Sequence, residues 1–178
     1  MTAIVYEARN TEQITPVPTA KALKIISGGQ TGVDRAALDV ALKHGIECGG
    51  WCPAGRRDEF GRIPDEYPVQ ELETGGFRER TLQNVKDSDG TVVIYSGNLG
   101  GGTEQTVHFC FELKRPHQLI DAAQFAPEES AKFIAEFVRN NHIAILNVAG
   151  PRKSEWPKGY HFAYRALESF LTDGTADS

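Results

Sequence analysis

The residues best suited to chemistry sit in two glycine-rich turns. Ser27-Gly28-Gly29-Gln30-Thr31-Gly32-Val33-Asp34-Arg35 follows the apolar run Leu23 to Ser27. Glycine backbone takes positive φ and lets a ligand approach closely. A helix running from about Val33 to His44 adds unpaired N–H groups and the positive end of its dipole. Gly28, Gly29, Gln30, Thr31 and Gly32 therefore read either as a cradle for an anion, most often a phosphate, or as an ordinary tight strand-to-helix turn. The pattern is neither Gly-Lys-Ser/Thr nor a full G-x-G-x-x-G. The second turn, Ser96-Gly97-Asn98-Leu99-Gly100-Gly101-Gly102-Thr103-Glu104-Gln105-Thr106, follows the β-branched run Thr91 to Tyr95. Two strand–glycine–helix units place both loops at one end of a parallel sheet, where open α/β sheets bind their ligands.

Other groups widen the choice of chemistry. The aperiodic stretch from Trp51 to Pro64 carries Trp51, Arg56, Arg57 and Arg62. That mixture suits stacking on a ring and pairing with a phosphate, or else a solvated loop whose tryptophan packs on its neighbour. The segment 50–64 has the length of a lid. Gly150 and Arg152 lie in a turn after the strand Ile143 to Val148, and Arg56 or Arg152 offers a bidentate contact to an anion. Asp34, early in its helix, reads as a brace for the first loop. Asp87 and Asp89 suit either the amino-imine edge of a pterin or a turn before a strand. Glu104 is the candidate if there is catalysis, and otherwise a helix N-terminal acid. The histidines His44, His108, His117, His142 and His161 have no ligand spacing, so no protein metal site is expected.

These groups need a frame to hold them. Strands are expected at Leu23–Ser27, Ile46–Gly50, Val69–Leu72, Thr91–Tyr95, His117–Ile120 and Ile143–Val148, with helices between most of them. Small residues Ala36, Ala37, Val40 and Ala41 give the first helix a face that packs close to a sheet, and Gly45 ends it. Pro127 with Glu128 and Glu129 opens an amphipathic helix, and Gly159 to Leu171 closes the domain. The alternation predicts an α/β, Rossmann-like fold: about six mostly parallel strands with helices on both faces. The 178 residues then divide into a tail over 1–22, one domain over 23–172 and a short tail over 173–178.

Composition excludes several classes. A net charge of −5 without a basic block argues against nucleic acid as partner. No stretch has the length of a membrane span, and the start lacks the features of a signal peptide. Cys48, Cys52 and Cys110 form no disulfide framework, which fits reduced thiols and a cytoplasmic location.

Four motifs in one order carry a resemblance. Gly28 to Asp39, Gly50 to Arg56, Gly100 to Thr106 and Leu146 to Arg152 resemble the molybdenum cofactor carrier family. That family is similar to the LONELY GUY phosphoribohydrolases and the DNA-processing DprA proteins. The resemblance implies a Rossmann-like homo-oligomer, dimer or tetramer. It implies a protein that binds the molybdenum cofactor (molybdopterin with its molybdenum) as cargo and passes it, without chemistry, to molybdoenzymes or cofactor-synthesis proteins. Ligand contacts are then expected from Gly28, Gly29, Gln30, Thr31, Gly32, Arg35, Trp51, Arg56, Ser96, Gly100, Gly101, Gly102, Thr103, Glu104, Gly150 and Arg152. The phosphoribohydrolases carry Pro-Gly-Gly-x-Gly-Thr-x-x-Glu; matched on Thr103, Thr106 stands where their catalytic Glu falls. Glu104 lies two positions earlier, turned by about 200° on a helix. The alternatives are a nucleotide-processing enzyme and a nucleotide-sensing module.

Overall fold

The structure, a computed structural model, describes residues 22–173. In order they form β1 (Lys24–Ile26), α1 (Val33–Lys43), β2 (Glu47–Gly49), β3 (Trp51–Cys52), β4 (Arg57–Asp58), β5 (Gly61–Arg62), β6 (Gln70–Glu71), α2 (Phe77–Asp87), β7 (Gly90–Tyr95), α3 (Gly101–Glu112), β8 (His117–Asp121), α4 (Pro127–Asn140), β9 (Ile145–Ala149) and α5 (Gly159–Asp173). The tails expected over 1–22 and 173–178 fall, except for residues 22 and 173, outside the described residues.

Five strands make an all-parallel sheet in the order β2-β1-β9-β7-β8. Helices α1, α4 and α5 pack on one face and α2 and α3 on the other. The alternate residues Ile25, Val92, Ile94, Ile120, Leu146 and Val148 point into the first layer. There they meet Val33, Ala36, Ala37 and Val40 of α1 and Ala163, Ala166 and Leu167 of α5. Each fully buried Ile or Leu contributes roughly 1.5–3 kcal/mol. α1 ends at Gly45, whose φ of 64° suits a left-handed cap. α4 opens with Pro127 at its first turn, and Glu129 accepts the Ala126 N–H at 3.1 Å.

The expected sixth strand does form, as β6, but outside the main sheet. It pairs with β3 in a separate parallel ribbon, Trp51 opposite Gln70. The cause lies at Gly50, which takes φ 121° directly over the end of β1; a Cβ there would stand 2.1 Å from the Ser27 carbonyl oxygen. The chain thus leaves the sheet after Gly49. The excursion to residue 70 then packs Cys52, Ile63, Tyr67 and Val69 around Leu38 on the flank of α1.

Candidate functional site

The first glycine turn is closed by the protein itself. The Gln30 N–H donates to Asp34 Oδ2 at 3.3 Å, and the Thr31 N–H to Gln30 Oε1 at 3.1 Å. The Val33 N–H reaches the Pro151 carbonyl at 3.4 Å. The Thr31 hydroxyl donates to Glu59 and accepts the Lys153 N–H at 3.1 Å. The part of the expectation that rests on the Gln30 and Thr31 N–H groups and on the Thr31 hydroxyl is therefore corrected: these donors already have acceptors. Gly28 and Gly29 are also covered, Gly28 by the Arg80 guanidinium and Gly29 by Ile63 and Val69.

The second turn is open. A Cβ added to Gly100 or Gly102 would meet nothing within 4 Å. The turn ends in the first residues of α3, whose N-terminus opens on a cleft also reached from β1, α2 and β9. That cleft is lined by Gln30, Asp34, Phe77, Arg80, Thr81, Gly102, Thr103, Gln105, Thr106, Ala149, Gly150, Arg152 and Glu155. Three donors there are buried with no hydrogen-bond partner: Gln30 Nε2, Arg80 Nε and Thr103 Oγ1. Buried polar groups are paired in all but a few cases, so three unpartnered atoms on residues of one cleft mark it as the candidate site. Its volume is about 40 Å³. That is room for about three water-sized groups, the scale of one phosphate or oxyanion.

Two further clefts flank it at the carboxyl end of the sheet. One, of about 370 Å³, lies between the loops after β7 and β9 and is lined by Ser96, Asn98, Gly100, Gly101, Pro151, Glu155 and Trp156. The other, of about 280 Å³, is lined by Thr31, Gly32, Arg35, Phe60, Lys153, Pro157, Tyr160 and His161. The expected residues thus divide three ways. Gln30, Gly102, Thr103, Gly150 and Arg152 meet in the central cleft; Ser96, Gly100 and Gly101 line the β7/β9 crevice; Thr31, Gly32 and Arg35 line the third.

Trp51, Arg56 and Glu104 are not brought to any of these. Trp51 lies by Lys24 and Ile145, at the amino ends of the strands, with its Nε1 donating to Asp87 at 2.6 Å. Asp87 is thereby taken up, and Asp89 accepts the Ala144 and Ile145 N–H groups, tying β7 to β9. Neither faces the glycine loops. The Arg56 guanidinium donates to the carbonyls of Val69, Pro64 and Tyr67 at 2.8 to 3.1 Å, so it shapes the 50–70 excursion and has no fork left for an anion. Arg57 and Arg62 likewise bond within that excursion. Glu104 is exposed on the outer side of α3, whereas Thr106 is buried in the cleft with its hydroxyl donating to the Gly102 carbonyl at 3.0 Å.

Sequence reasoning missed Arg80, Glu155 and Trp156. Arg80 lies over Gly28 and donates from Nη1 to Asp34 at 3.2 Å, with the Asp34 side chain buried and that of Arg80 mostly covered. One signal was present: Phe77, Arg80, Thr81 and Asn84 share a face of α2 at helical spacing, and that face is polar yet buried at Thr81 and Asn84. Arg152 pairs with Glu155, Nε to Oε1 at 3.3 Å, and stacks over Phe77 at 5.6 Å.

The segment 50–64 is tied at Asp58 and Glu59 to the first turn and to the loop after β9. Arg35 bonds Asp58 at 3.0 Å, and Glu59 accepts from Thr31, from the Ser154 hydroxyl and from the Ser154 N–H at 3.2 Å. Burial pushes the Glu59 carboxyl up, but the bonds from Ser154 and Thr31 outweigh it and hold Glu59 below the ordinary 4.5. The folded pKa is depressed, so this contact stabilises above the ordinary value and is lost as pH falls through the folded one. Glu59→Gln is therefore expected to flatten the acid side of the stability profile. Urea midpoints measured between pH 3 and 6 check this; an unchanged slope counts against the Glu59 clasp.

A parallel, doubly wound sheet with clefts gathered at its carboxyl end gives the chain a Rossmann-like fold. Counted in chain order within the sheet, the strands run 2-1-5-3-4; counted from β7 through the joined ends, they run 2-1-3-4-5, the doubly wound order of flavodoxin-like sheets. The chain belongs to the circularly permutated YpsA SLOG family, whose sequence model matches residues 25–171. It is also similar to a crystal structure described as a "putative molybdenum carrier protein" from Syntrophus aciditrophicus SB. The two are 47% identical with a TM-score of 0.82, over 85% of this chain and 96% of that one. The resemblance drawn from the four motifs thus holds at the level of family and fold. No curated protein matches the chain. No helix among the described residues is long and apolar enough to cross a membrane.

Proposed function

We propose that this protein binds the molybdenum cofactor and hands it on, holding an oxyanion of the cofactor in the central cleft. The observation that carries the reading is that Gln30, Arg80 and Thr103, which line one cleft beside the open N-terminus of α3, each hold a buried donor without a partner: Nε2, Nε and Oγ1. Donors of this kind, one of them cationic, suit a phosphate or an oxyanion. The name of the 47% identical neighbour supports molybdenum as the cargo. The residues present fit the group: Arg80 supplies charge, Gln30 and Thr103 supply neutral donors, and Gly102 leaves backbone bare. What the chain itself does is bind, orient and shield. Molybdoenzymes or cofactor-synthesis proteins are the partners this role implies.

The phosphoribohydrolase alternative is weakened by Glu104, which sits outside the cleft, while Thr106 occupies the cleft one turn below Gly102. The test is to purify the protein from cells that make the cofactor and to measure molybdenum and released pterin together per chain. Matching amounts of both, lost in Gly101→Asp, are expected. Absence of both, even after incubation with free cofactor, overturns the reading.

A further inference from the structure

We propose that the crevice between β7 and β9 takes a planar, fused-ring heterocycle that presents an amino group beside a ring N–H, the pterin and guanine class. In this arrangement the ring stacks on Trp156 and its donor edge pairs with Glu155. The proposal rests on the reading above, since it treats the ring as the continuation of an oxyanion held in the central cleft.

Size forces the division of labour. The central cleft, at about 40 Å³, has no room for a bicyclic ring. The neighbouring crevice, at about 370 Å³, falls in the roughly 300–1,000 Å³ range of small-molecule sites. It also lies between the loops after β7 and β9, the point where the permuted strand order reverses and doubly wound sheets bind ligands. The third cleft, beside Phe60, is nearly as large but shares no lining residue with the central one, whereas the crevice shares Glu155. One ligand can therefore span crevice and centre past a single carboxylate.

The walls suit the ring. Trp156 is held before any ligand arrives: its N–H donates to the Arg152 carbonyl at 3.0 Å, and its ring lies 5.8 Å from that of Phe162. At Gly159 a Cβ would stand 2.6 Å from Trp156 Cε3, so only glycine leaves the indole its place. Gly100 has open space where a side chain would be, and Gly101 meets only Glu155 at 3.5 Å. Glu155 spends Oε1 on Arg152 and keeps lone pairs on Oε2 for incoming donors. A carboxylate accepts two adjacent N–H groups and repels a ring acceptor in the same place. The crevice should thus favour a 2-amino-4-oxo edge over the edge of adenine, which sets an acceptor beside its amino group.

The chain has two tryptophans, so Trp51→Phe leaves Trp156 as the sole indole reporter. In that background the probes are pterin without phosphate, guanosine monophosphate, adenosine monophosphate and orthophosphate, followed by Trp156 fluorescence and calorimetry. Pterin and the guanine nucleotide are expected to quench Trp156, with the adenine nucleotide about tenfold weaker or more. Glu155→Gln, at an exposed side chain, should weaken both favoured rings about tenfold, while orthophosphate, which loses a neighbouring carboxylate in the shared wall of the central cleft, should bind at least as tightly as before. Rings that bind no better than orthophosphate, an adenine nucleotide as tight as the guanine one, or ring affinity unmoved by Glu155→Gln each overturn the proposal. Orthophosphate that fails to bind while pterin binds overturns the anion site instead, so the two readings fail separately. The tighter of pterin and guanine identifies the member of the class.

Discussion

Arg80→Ala is expected to abolish oxyanion binding and to lower stability by about 3–5 kcal/mol, the cost of breaking a buried ion pair by removing one partner. The Arg80 side chain is 13% exposed and that of Asp34 is 3%. Without the guanidinium the Asp34 carboxylate stays buried, with the Gln30 N–H at 3.3 Å, the Ser27 hydroxyl and more distant Arg35 left to offset its charge. Burial already pushes Asp34 above the ordinary carboxylate value, against the opposing pull of Arg80. In the variant that pull is gone, so Asp34 holds its proton to higher pH. A raised folded pKa stabilises below the unfolded value and the contribution is lost as pH rises through the folded one. Arg80→Ala should therefore be least destabilised in acid and increasingly so toward neutral pH. Denaturant unfolding at several pH values, beside titration with orthophosphate and molybdate, measures both effects. The double variant Asp34→Asn with Arg80→Leu separates them, regaining most of the stability and none of the binding. Normal oxyanion binding by a folded Arg80→Ala protein would falsify the role given to this side chain.

The second large effect contrasts two glycines that look alike in sequence. Gly32→Ala is expected to destabilise by roughly 2–6 kcal/mol, combining about 1–3 for strained backbone and about 1–3 for overpacking. Gly32 takes φ 81°, and a Cβ there would stand 2.5 Å from the Pro151 carbonyl oxygen and 3.0 Å from backbone of Arg152 and Lys153. Those atoms belong to the loop that presents Arg152, Glu155 and Trp156, so yielding to the methyl would also disturb the ligand clefts. Gly102→Ala, in the first turn of α3 with nothing within 4 Å, should leave stability unchanged or raise it by up to about 1 kcal/mol. Its methyl projects where the oxyanion approaches, so binding should fall while the fold holds. Thermal or urea midpoints for both variants decide the matter. A neutral Gly32→Ala would mean that the first turn is not the packed joint described above.

Both predictions depend on information that the sequence holds unequally. Local chemistry was enough for the elements and for the family. β-branched runs such as Thr91 to Tyr95 mark buried parallel strands, Gly45 and Pro127 mark helix ends, and the four motifs carry the resemblance. The expectation of two glycine loops at one end of a sheet also follows from the alternation of strand and helix alone, because right-handed crossovers leave little choice.

What only the tertiary structure decided is which polar atoms are already spent. Both glycine turns read as anion cradles, yet the Gln30, Thr31 and Val33 N–H groups of the first are satisfied internally and the second stands open. Arg56 and Arg80 are the same residue type: one is used up on backbone carbonyls 7 to 13 residues ahead, the other reaches 46 residues back to Asp34 and keeps a donor free. Trp51 and Trp156 are likewise indistinguishable by type, and the fold sends one to the amino ends of the strands and the other to the crevice between β7 and β9. Periodicity reports which way a residue faces on its own element. Whether its hydrogen-bonding groups meet partners is settled by long-range packing, and in this protein it is that packing that leaves three buried donors on one cleft without a partner.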